Sequence, residues 1–165
     1  MADTYRFRHV REMCGDVQGR LQATKLPDEP FVSIVVHTST KWEKLQELIA
    51  ATVRTPAAII VPGNSLYDEQ SEGNDRTTGF VVFVVAQEVT GRSGEFYGIA
   101  DIADAVVQKF TADPDTPAQP VTLHGVEWGV DQSGPIDAHE SFDVYRIDLR
   151  SWDHRQMRDE QGELA

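Results

Sequence analysis

The segment over residues 79–110 constrains the fold of this chain more than any other part of the sequence. Residues 80–86 form an uninterrupted run of β-branched and aromatic apolar side chains, too short to span a membrane. Such a run predicts a strand buried on both faces. After a glycine-containing turn, residues 99–110 change to a helical period with one apolar face. We therefore expect the centre of a sheet, followed by a helix that covers it.

Shorter elements precede this segment. Apolar residues recur at three- and four-residue spacing across residues 4–24 and again across residues 38–53, which predicts two amphipathic helices ended by proline-containing turns. Apolar runs at residues 31–37 and 57–61 predict strands. Residues 62–79 contain few apolar side chains that a core could bury, which predicts a long exposed loop. Loops of this length tend to be functional or disordered.

The C-terminal part predicts a pair of strands. Within residues 121–130 the apolar positions change parity across Gly125, which predicts a β-bulge at that glycine. Residues 142–152 alternate between apolar and charged types, so we expect a strand with one wet face, paired antiparallel with residues 121–130. Residues 153–165 are charged and poor in apolar side chains, which predicts a flexible tail that is frayed or ordered only by a partner.

Length and element order favour one domain. A chain of 165 residues is long enough for a single core and contains no internal repeat. The order of elements predicts an α+β fold, with a mixed, mainly antiparallel central sheet covered by two to three helices. We assign this domain to residues 1–152 and the flexible tail to residues 153–165.

Charge and cysteine content limit the partners and the compartment. The net charge of −12 argues against nonspecific attraction to nucleic acid and against an anionic membrane surface. The first 25 residues are basic by contrast, which favours head-to-tail packing between copies. The single cysteine, Cys14, fits a reducing compartment and an ordinary packing role. The first residues lack the apolar core of a signal peptide, so we expect a soluble protein made in the cytoplasm.

The sequence carries no recognisable catalytic or cofactor signature. Dinucleotide, phosphate-loop, nucleophile-elbow and paired-cysteine zinc patterns are absent, so we expect no cofactor and no metal. Residues 68–79 place Gly73 where a calcium loop has its glycine, but Gly79 stands where that loop needs a bidentate glutamate, so a solvated acidic loop is the simpler interpretation. The five histidines are scattered singly, which favours structural or surface roles. They are His9, His37, His124, His139 and His154.

Two further features have an ordinary and a functional interpretation. Arg92 and Ser93 lie in a glycine-containing turn that either cradles an anion or simply connects a strand to a helix. Trp42, Trp128 and Trp152 favour core packing, with an exposed anchor at a protein interface as the alternative for Trp152.

The layout as a whole resembles a known family. The features that carry the resemblance are an N-terminal helix, a proline-interrupted entry to an apolar strand, the run GFVVFVVAQ at residues 79–87, the pair Gly91-Arg92, the helix IADIADAV at residues 99–106 and a closing pair of strands. Together they resemble a family of tail proteins from Mu-like bacteriophages and prophages, which is similar to the tail terminator, or tail completion, proteins of long-tailed phages. The resemblance covers roughly residues 10–152.

The resemblance implies a structural subunit and no enzymatic activity. Its copies would form a ring, typically of six, that caps the tail tube and contacts the head-tail connector. Its partners would be other copies of itself, the tail tube protein and connector proteins, with no membrane partner and no specific nucleic-acid binding. DNA would pass through the ring, and acidic walls suit such a channel because they repel phosphates. The protein would act in the cytoplasm of the bacterial host during assembly and then in the virion tail.

A closed ring requires one face of each copy to meet a different face of the next. The opposed charges of the basic first helix and the acidic body of the protein supply one possible pairing. The candidate interface residues are Arg6, Arg8, Arg11, Asp68, Glu69, Glu72, Arg76, Arg92 and Trp152.

Two other functions stay open. A monomeric adaptor or binding module of a phage or prophage particle would have no ring, and its mass in solution would distinguish it. A small enzyme would require Arg92, Ser93, His37 and the acidic loop to converge, and no nucleophile-base pair is evident from their spacing.

Overall fold

The structure, a computed structural model, describes residues 3–22, 33–36, 42–50, 56–86, 99–111, 119–137 and 142–165. In chain order its elements are β1 (Thr4–Arg6), α1 (Val10–Gln22), β2 (Ser33–Val36), α2 (Trp42–Ala50), β3 (Ala57–Tyr67), a 3-10 helix (Glu69–Ser71), β4 (Asp75–Ala86), α3 (Ile99–Thr111), β5 (Val121–Leu123), β6 (Val126–Ile136), β7 (Asp143–His154) and β8 (Gln156–Arg158). None of the described helices is both long enough and apolar enough to cross a membrane.

The strands form two sheets. A six-stranded sheet has the order β2-β3-β4-β7-β6-β5, and β1 pairs with β8 in a separate two-stranded sheet. Only the β2-β3 pair is parallel within the six-stranded sheet. The prediction of an α+β fold with a mixed, mainly antiparallel sheet is therefore confirmed.

The two faces of the six-stranded sheet bury different helices. On one face, α1 and α3 cover the larger core, in which Trp128 packs against Phe80 and Phe110 with ring centroids 5.2 and 5.9 Å apart. On the other face, Ile49 of α2 packs in a smaller cluster with Phe83 and other side chains of β3, β4 and β7. Burial of these apolar side chains is the main stabilising contribution to the fold.

The expected central strand and its helix are confirmed. From Val82 to Ala86, β4 is buried on both faces, whereas its earlier residues alternate between buried and partly exposed positions. Helix α3 buries Ile102, Ala103, Val106 and Phe110, which are members of the predicted apolar face. The predicted pairing of the last strand is also confirmed, because β7 runs antiparallel to β6.

The prediction of a long loop at residues 62–79 is wrong, because β3 and β4 continue into it as a hairpin. Leu66 pairs with Thr77, and a turn containing the 3-10 helix joins the two strands. The register shifts between Pro62 and Ser65, and at Gly63 an added Cβ would lie 2.9 Å from the carbonyl oxygen of Gly79. A glycine is therefore required where the two backbones approach.

The predicted β-bulge at Gly125 is also wrong. His124 and Gly125 have φ angles of 52° and 78° and form the two-residue turn between β5 and β6, a conformation that favours glycine. The change of parity arises because the chain reverses direction there. A register shift does occur in β6, but between Val130 and Gln132.

The predicted tail is part of the folded domain. Strand β7 extends to His154, and β8 pairs with β1. Because residues 4–6 form β1, the N-terminal helix, which was predicted over residues 4–24, begins only at Val10. Arg158 in β8 is fully buried. Charged residues can be buried when ionic partners and hydrogen-bond acceptors surround them, and here Asp153 and the carbonyl oxygens of His124 and Gly162 supply them.

Candidate functional site

One end of the six-stranded sheet is uncovered by the described elements on the side that carries α2. Along β7 the alternation of side chains identifies the two sides. Ile147 and Leu149 pack beneath α1 and α3, whereas Val144 packs in the cluster with α2. Arg150 and Trp152 share the side of Val144, and both are exposed. We call this uncovered end of the sheet, around Trp152, the open face.

A row of paired residues crosses the open face. Leu66 pairs with Thr77, Thr77 with Trp152, and Trp152 with Glu127. Leu66 is 72% exposed and Trp152 is 38% exposed. The structure therefore places Trp152 at the surface, whereas Trp128 lies in the core as the ordinary interpretation predicted.

The next row of the open face has few side chains. Gly79 pairs with Arg150, and Arg150 pairs with Gly129. An added Cβ at either glycine would meet no atom within 4 Å. Arg150 forms a half-exposed ion pair with Asp131 at 3.5 Å. A second surface could therefore approach the backbone closely on both sides of Arg150.

The turn between β3 and β4 brings the acidic candidates together. Asp68, Glu69 and Glu72 are all exposed. The Asp68 carboxylate accepts a hydrogen bond of 2.8 Å from the backbone N–H of Gln70 and so caps the 3-10 helix. In the part of the chain that the structure describes, no salt bridge reaches these three carboxylates.

Two of the basic candidates are buried, so the structure contradicts their assignment to an interface. Arg8 donates from Nε and Nη2 to both carboxylate oxygens of Asp16, at 2.7 and 2.8 Å. Burial alone would lower the pKa of Arg8, but the hydrogen bond and charge of Asp16 outweigh it and raise that pKa. Arg76 donates from Nη2 to the carbonyl oxygen of Arg8 at 2.5 Å. Bidentate and charge-assisted hydrogen bonds of this kind allow a guanidinium to be buried.

Asp153 is the centre of this buried cluster. It is 1% exposed, accepts a hydrogen bond from the backbone N–H of Arg8 at 2.8 Å and another from Nη2 of Arg158 at 3.1 Å. Its Oδ2 also lies 3.6 Å from Nη2 of Arg76. Arg158 donates further to two backbone carbonyls at 2.7 Å each. These contacts hold the N-terminal segment and the C-terminal strand on the sheet, which is a structural role.

The remaining basic candidates for the interface differ in whether they form an ion pair within the chain. Arg6 forms an ion pair with Glu12 at 2.9 Å. Burial alone would raise the pKa of Glu12, but hydrogen bonds from Arg6 and from a backbone N–H, with the charges of two arginines, lower it. Arg11 is exposed and makes no salt bridge within the described ranges. Arg92 lies outside the described residues.

A shallow cavity of about 370 Å³ lies between α1, the end of α3 and the turn after β5. Among the described residues that line it, His124 is the one histidine; it contacts Glu163 and lies 3.6 Å from the carboxylate of Asp16. None of those described lining residues has a hydroxyl or thiol side chain. Cys14 is buried, and burial raises the pKa of its thiol. No group of three or more metal-ligating side chains occurs in the described part of the chain.

The other histidines and the proposed enzyme site fall elsewhere. His9 and His154 belong to the described residues. His9 is exposed, and His154 is partly buried. His37, His139 and Ser93 lie outside the described residues, so the convergence required by the enzyme hypothesis is not addressed by the structure.

Sequence reasoning missed the residues that build the buried ionic cluster. The predicted flexible tail includes Asp153 and Arg158, and nothing in the sequence distinguishes Asp16 from the other charged residues of the N-terminal segment. The hydrogen bond from Arg8 to Asp153 joins residues 145 positions apart in the sequence. No local pattern reports such a contact, because charged residues have the same sequence signature whether they are solvated or paired.

Comparison with known proteins adds no assignment. No family model matches this chain, and no curated protein matches it.

Proposed function

We propose that this protein is a structural subunit that assembles with copies of itself, as a ring of the tail-terminator type that caps a phage tail tube and contacts the head-tail connector. The open face supports self-assembly, and the tail-terminator type of the ring rests on the resemblance of the sequence layout. This face presents Trp152 beside Arg150 and Leu66 on a rigid sheet, and tryptophan and arginine are the residue types most enriched where protein interfaces bind tightly. A structural subunit needs such a surface.

The edges of the sheet favour contact through faces rather than through strand addition. Beyond its pairing with β2, the edge of β3 contains Pro62 and a register shift. The free edge of β6 contains the shift before Gln132 and then Pro135. Prolines and bulges protect edge strands from pairing with another chain. These two edge segments are therefore poorly suited to strand addition, which favours the open face over them as an intermolecular contact.

The alternatives differ from the ring in what they require. An adaptor would use the open face for a different protein and would stay monomeric by itself. An enzyme would require a nucleophile and a base in contact. Among the described residues, no serine, threonine or cysteine side chain forms a hydrogen bond with a histidine. This observation does not extend to His37 and Ser93, which lie outside the described residues, so the ring proposal rests on the open face and on the resemblance of the sequence layout.

Light scattering on the purified protein, across a range of concentration and salt, tests the proposal. A mass near six times the 18.4 kDa of the chain supports a ring. A mass of 18.4 kDa at every concentration contradicts self-assembly of the free protein. Co-sedimentation with tail tubes then tests the second part of the proposal, since a terminator binds the end of a tube and an unrelated monomer does not.

A further inference from the structure

A second exposed apolar pair lies on the outer surface of the two-stranded sheet. Tyr5 and Met157 are cross-strand partners in β1 and β8, and they are 49% and 47% exposed. Arg158, the next residue in β8, points inward to Asp153. Because side chains alternate along a strand, Tyr5 and Met157 point away from the six-stranded sheet. We call this surface the strap face.

The strap face and the open face lie on opposite sides of the same end of the molecule. Asp153, which anchors the two-stranded sheet, is on the side of β7 that packs beneath α1 and α3. Trp152, its neighbour in β7, is on the other side. The two apolar surfaces therefore cannot meet within one chain.

An unpaired charge accompanies each surface, and the two charges have opposite signs. The guanidinium of Arg155 stacks over the ring of Tyr5, with its Cζ 5.0 Å from the ring centroid. Glu127 is exposed and pairs across the strands with Trp152. Neither Arg155 nor Glu127 makes a salt bridge to any residue that the structure describes.

We propose that the strap face of one copy binds the open face of the next, an inference that rests on the proposed self-assembly. Tyr5 and Met157 pack on Leu66 and Trp152, and Arg155 pairs with Glu127. The side-chain-poor row of the open face allows the strap to approach the sheet backbone. A contact between two different surfaces leaves one of each free at the two ends of an open chain of copies. It therefore closes into a ring if the rotation between copies closes, as the proposed ring requires, and otherwise extends as a filament.

Charge reversal tests the predicted ion pair. Glu127→Arg alone and Arg155→Glu alone each place like charges together, and we expect the concentration of half-assembly to rise by about tenfold or more in each. The double variant restores the pair with its sign exchanged and assembles as the wild type does. Glu47→Arg on α2, another exposed carboxylate that takes no part in the proposed contact, is the control and leaves assembly unchanged.

Mixing two defective variants tests whether the contact joins unlike surfaces. Trp152→Ala damages only the open face, and it is expected to raise the concentration of half-assembly by about 30-fold or more. Tyr5→Ser with Met157→Ser damages only the strap face. Each variant alone is monomeric, and their mixture forms a dimer of twice 18.4 kDa that grows no further, because the contact uses the one intact surface of each.

Several results would overturn the inference, and they separate it from the proposed function. If the wild type assembles and these variants assemble equally well, the ring stands and this interface is wrong. The same conclusion follows if Trp152→Ala assembles normally but no longer binds tail tubes, which would assign the open face to the tube protein. A mixture that stays monomeric excludes unlike surfaces. A wild type that is monomeric at every concentration overturns the inference together with the ring.

Discussion

Replacing Asp153 with asparagine should destabilise the fold severely, although the change removes only a charge. The carboxylate is 1% exposed and is the acidic group nearest to both Arg158 and Arg76. Asparagine keeps the shape but leaves two buried guanidinium groups without their anion, and it turns an amide donor toward other donors. Removing one partner of a buried ion pair costs about 3–5 kcal/mol.

The expected size of the effect can be converted into measurable shifts. For a chain of this length, each kcal/mol of destabilisation lowers Tm by about 2–4 °C, so Asp153→Asn should lower Tm by roughly 6–20 °C. With a urea m-value of about 2 kcal/mol/M, the midpoint of urea unfolding should fall by roughly 1.5–2.5 M. Assembly would add concentration-dependent stability, so the comparison belongs at concentrations where both proteins are monomeric.

Urea unfolding followed by far-ultraviolet circular dichroism and tryptophan fluorescence measures this effect. The control is Asp131→Asn, because the ion pair of Asp131 with Arg150 is half exposed and should contribute no more than about 1 kcal/mol. If Asp153→Asn were as stable as the control variant, the buried cluster would not hold the terminal segments as we describe. Equal m-values for the variants and the wild type would show that the comparison is of stability alone.

Four further predictions concern single positions. Glu12 has a lowered pKa in the folded protein, so its stabilising contribution is complete above its unfolded pKa of about 4.3 and is lost as the pH falls through the folded pKa. When urea titrations are compared between pH 6 and pH 3, Glu12→Gln should therefore lose less stability than the wild type. The same pH dependence for both proteins would contradict this. Gly19→Ala should stabilise α1 by about 0.5–1 kcal/mol, because an added Cβ there meets no atom within 4 Å. Gly63→Ala should instead destabilise the hairpin by about 1–3 kcal/mol, because its Cβ would lie 2.9 Å from a backbone oxygen of β4. Equal Tm values for Gly19→Ala and Gly63→Ala would refute this difference between the two glycines. Burial raises the pKa of the Cys14 thiol, so a disulfide reagent at pH 8 should react with it only as fast as the protein unfolds, and rapid reaction in the native state would place the thiol elsewhere.

The elements that the sequence predicted well are those with strong local periodicity. The strand over residues 80–86 and the helix that follows it bury side chains on faces that the pattern of apolar residues already marks. The hairpin over residues 62–79 was missed because most of it has at most one buried face, which leaves few apolar residues to detect. Strand β8 was missed because its pairing partner, β1, lies at the opposite end of the chain and because its buried residue, Arg158, is charged.

The candidate interface was only partly accessible to sequence reasoning. Trp152 is exposed, which agrees with its alternative role as an anchor, and the acidic residues of the turn are exposed together. Arg8 and Arg76 were assigned to the surface because arginines usually are there, but both are buried, Arg8 beside Asp16 and Arg76 beside Asp153, which lies far away in the sequence. The exposure of Leu66 depends on cross-strand register, which the sequence does not specify before the hairpin is known.

The mass of the wild type and of Trp152→Ala, measured side by side by light scattering over the same concentrations, tests the central claim most directly. We predict a multiple of 18.4 kDa, near six, for the wild type and a single chain for the variant at concentrations where the wild type is assembled. Both proteins should have the same circular dichroism spectrum, since Trp152 lies at the surface. Identical masses for the two proteins would contradict the claim that the open face joins one copy to the next.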